Sequence, residues 1–161
     1  MSRASVSVHD NIPMANHEVT VALRWSDMDA LQHVNNVSML RVLEEARIRF
    51  LTERATSAGT ERATMFVAHQ EIDYAQPLLY SAEPARIAMC VTRIGGSGFD
   101  IGYTVYTPEG AVAALAETSM VVVDGAASGR PMAIPEGMRA VLTELQGDPV
   151  PFRRRRTESA S

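Results

Sequence analysis

One change of hydrophobic period governs what this chain can fold into. From Val37 the apolar residues Val37, Leu40, Leu43, Ala46 and Phe50 recur at steps of three and four, the spacing of one helix face. Arg47 interrupts the edge of that stripe, while Arg41, Glu45 and Arg49 form i,i+4 pairs on another face. The pattern predicts a helix of about four to five turns, ending between Ala55 and Gly59. Most other patterned segments read as strand. "HEVTVALRW" (17–25) puts Val19, Val21 and Leu23 on one side. "MFVAHQEIDY", "ARIAMCVTRI", "FDIGYTVY" and "AVAALAETSMVVVD" follow, punctuated by Gln76–Pro77, "GGSG" and "TPEG". A short terminal helix is predicted in "PEGMRAVLTELQ", with Pro135 near its start and Met138, Val141, Leu142 and Leu145 inward.

A single long helix can cover one face of a five-stranded sheet but not both. Consecutive strands on short links pair antiparallel. The expected architecture is therefore α+β: a five-stranded antiparallel sheet around one helix, its other face polar or covered by a partner. A homodimer or larger homo-oligomer follows from that.

With 161 residues the chain has the size of one domain. Residues 1–16 read as a flexible leader, 17–146 as the domain and 147–161 as a flexible tail carrying Arg153 to Arg156. A net charge of −4 disfavours nucleic acid as a partner. No apolar run approaches the roughly 18 residues of a membrane span, and the leader lacks the apolar core of a signal peptide. The single cysteine, Cys90, has no intrachain disulfide partner and is expected to pack as a small hydrophobe. A cytoplasmic location fits these features.

The chemistry concentrates where strand gives way to helix, in "RWSDMDALQHVNN" (24–36). A helix starting near Asn36 directs free backbone N–H groups at the preceding loop. Such donors can hold a carbonyl oxygen and stabilise the charge it gains under attack. A carboxylate nearby could activate water or attack directly, and Asp29 lies close upstream. Asp27 suits a structural turn role, and Asn35 suits the helix N-cap. Elsewhere, the four histidines are scattered and no cysteine pair exists, so no metal-ligand spacing is present. No G-x-S-x-G elbow appears either. His69 is expected to pack within its strand.

"DMDALQHVNN" followed by an amphipathic helix resembles the hotdog-fold thioesterases, specifically the 4-hydroxybenzoyl-CoA thioesterase-like acyl-CoA thioesterases. Plant fatty acyl-ACP thioesterases carry a similar "DxDxxxHVNN" stretch. "EIDYAQPLLY", "VTRIGGSGFDIGYTVY" and "GRPMAIPEGMRAVL" extend the resemblance over roughly residues 18–145. The resemblance implies a hotdog fold and hydrolysis of an acyl-CoA to a free acid and coenzyme A, with no metal or redox cofactor. Coenzyme A enters only as part of the substrate, at a subunit interface of a homodimer or homotetramer.

By the same resemblance Asp29 is the catalytic carboxylate, as nucleophile or general base, and the Asn36 backbone N–H is the carbonyl polariser. His33 matches a histidine implicated in catalysis in the plant-type relatives. Their pattern also has an asparagine two residues after the aspartate, where this chain has Leu31. His33 and Asn35 are then candidate positioning groups. Gly96 and Ser97, within "GGSG", are candidate contacts for coenzyme A phosphates through their amides; a plain hairpin turn is the alternative. Glu44 and Glu45 lie where another hotdog class places a catalytic glutamate. Met39, Met65 and Phe66 are candidates for shaping an acyl pocket. The rival functions are an acyl-ACP thioesterase, a non-catalytic acyl-CoA-binding hotdog protein, and a dehydratase, whose histidine–acid pattern "HVNN" does not resemble.

Overall fold

Tight turns decide most of the sheet. In the computed structural model, which describes residues 17–59 and 63–153, three strands follow one another through short links. They are β3 (Ala85–Ile94), β4 (Gly98–Tyr106) and β5 (Val112–Val123). They pair antiparallel in chain order. Two earlier strands, β1 (His17–Val21) and β2 (Thr64–Tyr74), add to the edges. The order is β1-β3-β4-β5-β2, all antiparallel. A long helix, α1 (Asn36–Ser57), separates β1 from β2, and a short one, α2 (Glu136–Glu144), closes the domain. This is the expected α+β hotdog arrangement, with a five-stranded sheet wrapped around one long helix.

The pleat sorts the side chains. Ile87, Met89 and Val91 of β3 stand opposite Val105, Tyr103 and Ile101 of β4, and all six are buried beneath α1. The helix contributes Met39, Val42, Leu43, Ala46 and Phe50 to that core. The buried stripe is therefore rotated from the one the spacing suggests. Val37 is 69% exposed and Leu40 also reaches the surface, whereas Met39 and Val42 are inside. The helix carries apolar residues on more than one face, so periodicity alone could not say which face meets the sheet. Arg47, read as an interruption, is itself buried at 5% exposure. Among the described residues no helix is long and apolar enough to cross a membrane.

The sheet's outer face is partly polar and partly strapped. Thr92 Oγ1 donates to Glu117 Oε2 across it at 2.9 Å. Residues 147–153, expected to belong to a flexible tail, instead pack here. The Gly147 N–H donates to the Val91 carbonyl, and Val150 and Phe152 bury against Leu115. Gly102 permits the approach, because a Cβ there would lie 2.7 Å from a Val150 methyl. The Arg153 N–H donates to Asp73 Oδ2 at 2.8 Å, tying the strap to β2. The physical reason is simple: one helix leaves the second face open, and Val150 and Phe152 cover part of it. The leader and Arg154 to Arg156 lie outside the described residues. His69, expected to pack, is exposed on the edge strand β2.

Cys90 is buried on this outer face. Burial, reinforced by the negative charges of Asp148 and Glu117, pushes its thiol up to about 11. At neutral pH roughly one molecule in ten thousand then carries a thiolate. Iodoacetamide should label the native protein very slowly at pH 7, with the rate rising about tenfold per pH unit towards pH 11. Unfolding in urea should abolish that protection. Phe152→Ala should lower unfolding stability by about 3 kcal/mol in urea titrations, whereas a loose tail would show no change.

Candidate active site

The loop between β1 and α1 is held from several directions at once. Asp27 closes a 3-10 turn over Trp25–Asp27 and is only 4% exposed. Its carboxylate accepts from the Arg24 N–H at 2.7 Å, from Arg41 Nη2 at 2.6 Å and from Arg41 Nε at 3.3 Å. Its carbonyl accepts from the Asn35 N–H at 2.8 Å. A buried carboxylate is tolerated only when paired and hydrogen-bonded, and Asp27 is both. It has the structural role expected of it. Arg41 is held in turn by Glu45, which also pairs with Arg49.

Asp29 follows in a tight turn. Its carbonyl accepts from the Gln32 N–H at 3.0 Å, and its N–H donates to the His33 carbonyl at 2.9 Å. Gln32 closes the turn with φ of 62°, a left-handed conformation that a non-glycine residue rarely adopts. Oδ1 of Asp29 accepts from the Leu31 N–H at 2.8 Å and from the His33 N–H at 3.4 Å. Among the described residues Oδ2 has no partner. The carboxylate is thus both an Asx-turn acceptor and a group with one oxygen open for chemistry. The next segment is pinned from the other side. The Val34 N–H donates to the Leu78 carbonyl at 2.8 Å, and His33 bridges to Leu79.

At Asn35 the chain enters α1. Its side chain accepts from the Val37 N–H at 2.8 Å, so Asn35 is the N-cap. Helix geometry leaves the Asn36 N–H without an intrahelical acceptor. The first turn is joined to β2 by Tyr74, whose hydroxyl donates to the Asn36 carbonyl at 3.4 Å.

These residues share a cleft of about 460 Å³. Asp29, His33, Asn36 and Met39 line one side, and Tyr74 to Leu78 the other. The structure therefore brings together Asp29, His33 and Asn36. It does not bring Gly96 and Ser97 to them within one chain. Those two sit in the β3–β4 turn, where Gly98 pairs with Val121, while Tyr74 pairs with Ala114 at the opposite end of β5. The turn's carbonyls are taken. Ser97 O accepts from Val122, Gly96 O from Ile134, and Arg139 Nη2 donates to Gly95 O at 2.7 Å.

Met39 lines this cleft, and Met65 lines a second cavity further along α1. Phe66 does neither; it is exposed and faces Gly129. Residue-by-residue reading missed Tyr74 and the 75–78 segment. Their signal was present in "EIDYAQPLLY", but only the fold shows that this stretch faces the motif loop.

Among the described residues no three His, Cys, Asp or Glu side chains are placed to hold a metal ion. A helix start presenting a free N–H beside a fixed carboxylate can polarise a carbonyl and deliver water or a nucleophile to it.

The family profile of the thioesterase-like superfamily matches residues 23–142; the chain belongs to this superfamily. A thioesterase from Thermus thermophilus, solved with coenzyme A and zinc, is 29% identical. It aligns with a TM-score of 0.65 over 80% of this chain and 92% of its own. The PA5185 protein of Pseudomonas aeruginosa strain PAO1 is 27% identical, with a TM-score of 0.72 over 82% of this chain and 92% of its own. The uncharacterised protein YsmA of Bacillus subtilis strain 168 is 28% identical over 90 residues. That match spans 56% of this chain and 60% of YsmA.

Asp27→Asn removes the charge facing Arg41 while keeping the shape. It should destabilise the fold by about 2 kcal/mol in urea titrations, the scale for losing charge-assisted hydrogen bonds while Arg41 keeps Glu45. Arg41→Met in the Asp27→Asn background should add much less than it does alone.

Proposed function

We propose that this protein is an acyl-CoA thioesterase, hydrolysing the thioester to a free acid and coenzyme A. The observation that carries the reading is that Asp29, His33 and the first residue of α1 line one cleft. Membership of the thioesterase-like superfamily and the coenzyme A bound by the Thermus relative support the substrate class.

In the proposed reaction the thioester carbonyl points at the Asn36 N–H, where the helix dipole favours developing negative charge. Water attacks the carbonyl carbon from the Asp29 side and gives up a proton to Oδ2. The C–S bond breaks as the new C–O bond is kept, and the proton passes to the departing thiolate. The products are a carboxylic acid and the coenzyme A thiol. Oδ1, held by two backbone amides, fixes the carboxylate for this role. His33 lines the cleft and positions the acyl-thioester or the water.

The working unit we propose is a homodimer or homotetramer. The long β2 edge is unpaired on one side among the described residues, and open edges invite a second strand. Phe66, Val67, Val37 and Ile48 add exposed apolar surface nearby. In such an assembly the Gly96–Ser97 turn of a second copy supplies amides to the coenzyme A moiety, since the turn within one chain lies too far along the sheet. Cytoplasmic placement goes with this substrate and with an unpaired, buried cysteine.

The test is thiol release from a panel of short, long and aromatic acyl-CoAs, with matched acyl-ACPs alongside. Wild type should turn over at least one acyl-CoA, and Asp29→Asn should lose about a hundredfold or more in kcat. Single turnover in ¹⁸O-water should place the label in the product acid and leave Asp29 unlabelled. Equal turnover by the mutant would return Asp29 to a turn residue. Tight acyl-CoA binding without turnover would make the protein a binding module.

A further inference from the structure

Three turns beyond the cleft, α1 does something unusual for a helix packed on a sheet. Arg47 lies on the buried side, in register with Met39 and Leu43 at i,i+4 steps, and is 5% exposed. Among the described residues it has no carboxylate partner, and its Nη1 is buried without a hydrogen bond. The other arginines on α1 each have a side-chain partner, Arg41 in Asp27, Arg49 in Glu45 and Arg54 in the His17 ring, although Arg54 Nε is also buried without a hydrogen bond. A guanidinium stays protonated at any pH a protein survives. Placing one inside without a counter-charge is strongly unfavourable.

Arg47 also lines a cavity of about 330 Å³ whose other walls are mainly apolar, among them Leu51, Met65, Met120 and Leu142; the exposed Glu44 and the half-buried Arg54 line it as well. Beside it in the core is the Tyr103 hydroxyl, whose polar neighbours are the Arg47 guanidinium and Thr118. Burial raises the Tyr103 pKa, and the positive charge of Arg47 works against that rise, which places the two close together. Thr118 accepts from Gln70 Nε2 at 3.4 Å on the same helix-facing side of the sheet. Of the cavity's charged groups only Arg47 is buried, Glu44 being open to water, so the cavity suits an apolar ligand that ends in an anion.

The two hollows lie on one seam. Asn36 of α1 meets Tyr74 of β2 at the thioester end. Ile48 and Leu51 of α1 meet Met65 and Val67 of β2 at the other. Arg47 lies ~16 Å from Asn36 along the helix axis at 1.5 Å per residue, and long helical side chains lean back towards the N-terminus. The hollows share no lining residue, so an acyl chain starting at the Asn36 N–H has to pass between α1 and β2 to bring its far end to the guanidinium.

We infer that the acyl group carries a second carboxylate at its far end, received by Arg47 in the α1–β2 cavity. The substrate class is the coenzyme A monothioester of a medium-chain dicarboxylic acid. This deepens the thioesterase reading and rests on it for the reaction, but not for the binding site. Hydrolysis of such a thioester follows the same balance as above, with the distal carboxylate unchanged.

The experiment compares matched pairs, adipyl with hexanoyl, suberyl with octanoyl and dodecanedioyl with lauroyl-CoA, in wild type, Arg47→Met and Arg47→Lys. The readout is the ratio of kcat/KM within each pair, which cancels any loss of folded protein. Wild type should favour the dicarboxylic member of at least one pair by about tenfold or more, as expected for a buried charge-assisted pair. Arg47→Met should erase that ratio, and Arg47→Lys should keep part of it. In parallel, free suberic and dodecanedioic acids should raise the melting temperature of wild type more than octanoic and lauric acids do, and Arg47→Met should lose the difference. Lauroyl-CoA turnover with no dicarboxylic preference, unchanged in Arg47→Met, overturns the inference and leaves the thioesterase reading standing. Dicarboxylate stabilisation that needs Arg47, without turnover of any thioester, supports the Arg47 site and removes only the hydrolase reading.

Discussion

The ion pair between buried Asp27 and half-buried Arg41 is the interaction on which the rest of the site depends. Asp27 belongs to the loop and Arg41 to the second turn of α1, so their contact clamps the loop onto the helix start. The same aspartate accepts from the Arg24 N–H, and its carbonyl accepts from the Asn35 N–H. With both ends of the loop fixed, the residues between them have little freedom. Asp29, the left-handed Gln32 and His33 are held in one tight turn. An ion pair at a surface would do little here. Because Asp27 is almost wholly removed from water, leaving it unpaired is strongly unfavourable, and that penalty is what makes the geometry specific.

From this clamp the architecture follows outward. The helix that begins at the clamp buries one stripe in the sheet and presents Val37, Leu40 and Ile48 elsewhere. Two separate hollows lie at opposite ends of the junction between α1 and β2. One hollow holds a carboxylate and the helix start, and the other a buried guanidinium, with Glu44, Thr52 and Arg54 also on its walls. The sheet's other face is covered partly by the strap that carries Val150 and Phe152 and partly by paired polar side chains. That strap is anchored to Asp73 and, through Arg153 Nη2, to the Tyr74 carbonyl, so it also steadies the end of β2 that faces the cleft.

Much of this was legible in the residues. Strand β3 could be read over Ala85–Ile94, and the start of α1 at Asn36, because alternation and capping chemistry are local. The motif loop announced itself by its density of Asp, His and Asn. Other features were not legible. The face of α1 that is buried could not be chosen from spacing, because Val37, Leu40 and Ile48 are as apolar as Met39 and Val42. Residues 147–153 read as tail because two apolar side chains in a proline-containing segment carry no periodicity. His69 sits in a strand pattern, but the crossover after β2 sends that strand to an edge, where its side chain is exposed.

The sequence by itself determined the local alphabet: which stretches are strand, where the long helix starts, and which residues carry a carboxylate, a cap and a turn. Those properties depend on neighbours a few positions away, and one chain states them fully. Tertiary structure alone decided which of those residues meet. It placed Tyr74 and Leu78 against the motif loop, held Gly96 and Ser97 at the far end of the sheet, and put Arg47 inside an apolar cavity. Such pairings are set by strand order and by which helix face the sheet accepts. The net burial of the whole core selects both, and no short segment encodes them.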